Sequence, residues 1–183
     1  MRTLKTLKIV AVIAMTLGLA TAQAVTTVPL GPLGSSAVTA SAVAAASCTS
    51  FTNTGTLTFA GGYTSGQAAN IDSSAVLLTA NCTSGTVYTI QVTAGSNFGL
   101  GPWGGGYRAL SNGTNYLSYG VYYGPIASNV FWGDGVHGSL GAVHGGVGSG
   151  SAQPYTLNAR LYGGQTAVDG VYGDPGLTAT ITF

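Results

Sequence analysis

Apolar residues recur at every second position in short blocks along most of this chain. Val38, Ala40, Ala42, Ala44 and Ala46 share a face with Cys48, and Val76, Leu78 and Ala80 share one with Cys82. The same beat runs through Tyr88, Ile90 and Val92, then Leu117, Tyr119, Val121 and Tyr123, then Tyr155, Leu157, Ala159 and Leu161. A last block, Leu177, Ala179, Ile181 and Phe183, alternates with Thr to the final residue and predicts a core strand with Phe183 pointing inward. Successive side chains of a strand face opposite ways, so each block predicts a half-buried β-strand. Residues 42–46, four alanines and Val43, have helical propensity, but their even-numbered face stays in phase with Cys48 and predicts strand. Ser84-Gly85, Asn112-Gly113 and Gly163-Gly164 supply turns between blocks. No helical spacing of useful length interrupts them. Short alternating strands with regular turns predict an all-β sandwich of immunoglobulin-like type.

Two stretches break the alternation. Residues 98–107 are Gly-rich around Pro102 and Trp103, and residues 133–151 read almost as a glycine linker carrying His137 and His144. Both predict surface loops. At the other end, Arg2, Lys5 and Lys8 precede an apolar run over 9–20 and the small-residue pattern Ala22-Gln23-Ala24, the order of a secretory signal peptide cut after Ala24. That run is short for a membrane span, and no other long apolar run follows, so no direct membrane span is expected.

Without the leader, Arg108 and Arg160 are the only cations left, against Asp72, Asp134, Asp169 and Asp174. A weakly acidic chain without Lys has no electrostatic footprint for nucleic acid. With 5% charged and 45% hydrophobic residues, the chain is too apolar for disorder and too weakly charged for an ordinary free monomer, which suits a subunit of an assembly. Two cysteines in an exported chain, Cys48 and Cys82, predict one disulfide.

Candidate chemistry is sparse. There is no Glu, Lys or free Cys nucleophile after the leader, and Asp134, His137 and His144 are the one acid-plus-imidazole cluster. In a glycine loop these residues lack the outer support that a metal or catalytic site needs, so no enzyme, metal or cofactor is expected. Trp103, Tyr107 and Trp132 near the loops could stack on sugar rings, which keeps a carbohydrate-binding module as an alternative. Arg108 and Arg160 are each expected to pair with an Asp. Asn81-Cys82-Thr83 and Asn112-Gly113-Thr114 match the N-glycosylation pattern, the first on a strand and the second on a turn.

Residues 25–36, Val-Thr-Thr-Val-Pro-Leu-Gly-Pro-Leu-Gly-Ser-Ser, form a further strand-like segment. In the phase set by Cys48 its inward residues are Val28, Leu30 and Pro32, while Pro29 removes a ladder donor. Such a segment suits addition to the open sheet edge of another chain.

An ordered set of residues resembles the spore coat protein U domain family, whose members include subunits of archaic chaperone–usher pili. The set comprises Cys48, Ala80-Asn81-Cys82-Thr83-Ser84-Gly85 with Tyr88, Gly95, Arg108-Ala109-Leu110, Leu117-Ser118-Tyr119 and Trp132-Gly133. It continues through residues 155–165, Gly170-Val171-Tyr172-Gly173-Asp174 and the alternating terminus. The resemblance implies an incomplete immunoglobulin-like sandwich, here residues 37–183, completed by a donor strand from another subunit. It implies a Cys48–Cys82 disulfide, a donor within residues 25–36, and an acceptor edge at Leu177, Ala179, Ile181 and Phe183. Its implied partners are identical or related subunits, a periplasmic chaperone and an outer-membrane usher. Its implied place is the periplasm in transit and then a cell-surface filament serving adhesion or biofilm formation. A non-fibrous coat or envelope protein is the other structural alternative.

Overall fold

A computed structural model describes residues 45–183. The predicted leader, the segment with Val28, Leu30 and Pro32, and residues 38–44 of the first alternating block lie outside the described residues. Nine strands follow in chain order: β1 (Cys48–Thr54), β2 (Ile71–Asp72), β3 (Val76–Cys82), β4 (Val87–Val92), β5 (Arg108–Ser111), β6 (Tyr116–Tyr123), β7 (His144–Val147), β8 (Ala152–Leu161) and β9 (Ala179–Thr182).

They form two antiparallel sheets. The larger runs β1-β3-β8-β6-β5, with β2 pairing to β8, and the smaller runs β7-β4-β9. The alternating blocks supply the facing sides: Val76, Leu78, Ala80, Tyr88, Ile90, Val92, Leu157 and Ala159 are all buried in one cluster. The predicted all-β sandwich is therefore the observed architecture. Buried polar tips inside it find partners, as a low-dielectric core demands. Tyr88 and Tyr155 hydroxyls meet at 2.6 Å, and Trp132 Nε1–H donates to the Ile90 carbonyl at 3.0 Å.

Cys48 and Cys82 occupy paired positions on β1 and β3 and form a disulfide, S–S 2.04 Å. Ala45 to Ser47 carry no strand, so within the described residues the first strand starts at Cys48 and continues to Thr54.

Three expectations are corrected here. Phe183 does not face inward: it lies one residue past β9 and is 58% exposed. Only Ala179 and Ile181 of that strand are half-buried against the core, with Thr180 and Thr182 outside. The glycine loop over 133–151 is ordered, holding a short 3-10 turn at Gly138–Leu140 and β7. Its glycines permit close backbone approach: a Cβ at Gly133 would overlap Gly141, and one at Gly141 would overlap Phe131. The third correction concerns β6, which is buried on both faces from Leu117 to Tyr122. The Trp loop covers its outer face, with Trp103 N–H donating to Ser118 Oγ at 3.1 Å, and Phe131 stacks on Tyr122 at 4.6 Å.

Candidate functional site

The sandwich is open along one side. There β1 is the edge of the larger sheet and β9 the edge of the smaller one, and each pairs on one side only. Two adjoining cavities lie here, and the smaller one touches both edges through Asn53 of β1 and Ala179 of β9, whereas the larger is lined by neither strand. One, of about 590 Å³, is lined by Leu57, Phe59 and Tyr63 and by Leu110, Leu117, Tyr119, Leu161 and Tyr172. The other, of about 260 Å³, is lined by Asn53 and Gly55, by the core residues Val76, Leu78, Val92 and Leu157, and by Thr178 and Ala179. Thr56, Leu57, Asp174 and Leu177 line both, so they mark a waist between the two. The core residues at the floor of the cavities, Val92 and Leu157 among them, are buried, and the rim residues Leu57, Leu110, Leu177 and Ala179 are half-buried.

The predicted edge residues divide accordingly. Leu177 lines both cavities and Ala179 one. Ile181 packs on the core farther along β9, and Phe183 stands outside.

Polar residues brace the opening. Asp174 Oδ2 accepts from the Tyr119 hydroxyl and Oδ1 from the Ser96 N–H, both at 2.8 Å. Burial, reinforced by the adjacent Asp174 carboxylate, pushes the Tyr119 phenol far above its ordinary range and keeps it a donor. Gly95 makes room, since a Cβ there would overlap the Asp174 carboxylate. Thr93 ties the approach to β9: its N–H donates to Thr178 O at 2.9 Å and its hydroxyl to Gly176 O at 2.8 Å.

Arg108 departs from its expected pairing with an Asp. It is fully buried and donates to three carbonyls, Thr93 and Val92 at 2.8 and 2.7 Å and Trp132 at 3.0 Å. Burial lowers its pKa, and the fields of Asp134 and Asp174 act against that at longer range. Arg160 meets its expectation in a fork with Asp72, Nε–Oδ1 2.6 Å and Nη2–Oδ2 2.9 Å.

The remaining candidates are dispersed. Asp134 and His137 pair at 2.7 Å, whereas His144 stacks on Tyr123 at 4.1 Å. Burial works against the Asp134 carboxylate, but hydrogen bonds from the His137 backbone and ring and from the Val136 N–H hold it at about 2. No group of three or more His, Cys, Asp or Glu that could hold a metal occurs among the described residues. Trp132 is wholly buried and cannot offer a face to a sugar, while Trp103 is 46% exposed and stacks on Tyr162 at 4.4 Å. No helix among the described residues is long and apolar enough to cross a membrane.

Residue spacing does not point to the bracing set of Asp174, Tyr119, Ser96 and Arg108. Its signal is scarcity: two Arg and four Asp in residues 25–183 make each charge conspicuous.

No curated protein sequence matches the chain. Among solved structures it is similar to a chain in the crystal structure of the CsuC-CsuE chaperone-tip adhesion subunit pre-assembly complex from archaic chaperone-usher Csu pili of Acinetobacter baumannii. The identity is 18% and the TM-score 0.49, covering 75% of this chain and 40% of that one. The family model described as Spore Coat Protein U domain matches residues 35–182, and the chain belongs to that family.

Proposed function

We propose that the protein is an exported structural subunit of a surface pilus that assembles by donor-strand exchange and serves adhesion or biofilm formation. Residues 25–36 of one copy enter the opening between β1 and β9 of the next, with Val28, Leu30 and Pro32 as the inward set. The observation that carries this reading is the open side itself: the edge strands β1 and β9 flank a cavity floored by the core residues Val76, Leu78, Val92 and Leu157. An extended segment laid there gains main-chain hydrogen bonds from an edge and apolar burial from the cavities. Membership of the Spore Coat Protein U domain family and a nearly uncharged chain support the same reading.

Before assembly, the same edges and apolar lining expose the subunit to mispairing. A periplasmic chaperone strand would cover them, and an outer-membrane usher would exchange it for the incoming segment. Donor, chaperone strand and next subunit then compete for one opening.

Unboiled samples of the exported protein on SDS gels test this. A ladder of oligomers that collapses on boiling and disappears when residues 25–36 are deleted is the expected outcome. A stable monomer with or without that segment overturns the reading. One exposed, pre-oriented aromatic supports a sugar-binding module as a second reading. Retention on a glycan column that is lost in Trp103→Ala is its test.

A further inference from the structure

One carboxylate stands at the waist shared by both cavities. Asp174 is held from two sides: Tyr119 belongs to β6 of the larger sheet, and Ser96 follows β4 of the smaller. Neither bond is an ion pair. Among the described residues the ion pairs are His137–Asp134 and Arg160–Asp72. Arg108, the cation that acts on Asp174 at a distance, directs Nε and Nη2 to carbonyls. Asp174 therefore stands without a cationic partner, held in place at the waist beside Thr56, Leu57 and Leu177.

A second carboxylate brought against Asp174 by an entering strand meets direct like-charge repulsion, which grows as the strand displaces water from the cavities. A neutral residue meets no such penalty. Discrimination of this kind comes from what a site repels. Residues 25–36 contain no Asp or Glu, and no charged residue occurs between Val25 and Ile71.

We propose that Asp174 is the specificity-determining residue of the opening: its fixed carboxylate refuses any entering strand that presents an acidic side chain at the waist. This rests on the strand-acceptor reading above. It makes the occupant a neutral, apolar strand, such as residues 25–36 of a second copy.

Full-length chains test it through the boiling-sensitive ladder. Asp and Asn are placed in turn at Val28, Leu30 and Pro32, each alone and together with Asp174→Asn. Asp and Asn match in size and differ in charge, and Asn at 174 keeps an oxygen for the Ser96 N–H. At the position facing the waist, the Asp variant is expected to lose at least tenfold in ladder while the Asn variant assembles. Asp174→Asn in the same chain is expected to restore it. Equal assembly of Asp and Asn variants at all three positions overturns the proposal, as does failure of Asp174→Asn to form or restore a ladder. A wild-type chain without a ladder overturns the strand-acceptor reading and this inference with it, so the two failures are distinct.

Discussion

At the scale of single residues, stability rests on a few polar groups placed where they cannot be spared. Arg108→Met would strip donors from the Val92, Thr93 and Trp132 carbonyls while leaving them enclosed. Each unpaired buried acceptor costs about 1–3 kcal/mol, so a loss of roughly 3 kcal/mol or more is expected in urea unfolding. The Cys48–Cys82 bond closes a separation of 34 residues, and its reduction is expected to cost roughly 3–4 kcal/mol in the same measurement. Asp134 gives an acid signature. Its folded pKa of about 2 lies below the ordinary 3.8, so the unfolded chain binds more protons between those values. The stability it contributes is complete above about pH 4 and drains away as pH falls through about 2. Asp134→Asn is expected to flatten that part of a stability–pH curve, which unfolding titrations between pH 2 and 5 would reveal.

At the scale of elements, the loop over 133–151 is the instructive case. Gly141 sits at φ +92°, and a Cβ there would run into Phe131. Gly141→Ala is expected to destabilise by about 2 kcal/mol from backbone strain alone, with the close approach adding to it, readable as a lowered thermal midpoint. As sequence, this loop reads as slack because glycine has no side chain to reveal what the backbone touches. Strands β3, β4 and β8 were legible because one face is buried and the other wet, which writes period two into the residues. Much of β1 was not, since Cys-Thr-Ser-Phe-Thr-Asn-Thr lies at an edge with only Cys48 and Phe51 half-buried. Phe183 misled for the opposite reason: alternation continues past the point where the core ends. Among the candidate site residues, Leu177 and Ala179 could be read from phase, whereas Asp174 could not. Its partners Ser96 and Tyr119 are 78 and 55 residues away, a proximity that no local pattern encodes.

At the scale of the whole molecule, the described residues make a sandwich with a cavity reaching its core between β1 and β9. Subunits purified without a covering strand are expected to bind an apolar dye and to aggregate. Those with a strand in place should do neither, as fluorescence and light scattering would show. The disulfide gives this arrangement a mechanical consequence. A pull on the described chain from its N-terminal side arrives at Ser47, hydrogen-bonded to Thr83 just past β3, and then at Cys48. Its sulfur passes the load directly to Cys82 in β3, a strand flanked on both sides, by β1 and β8. Tension therefore bypasses the ladder of β1 instead of peeling it one bond at a time, and the wall of the opening keeps its shape under strain. If the proposed filament forms, its weakest link under flow is then the junction between neighbours and not the fold of each subunit.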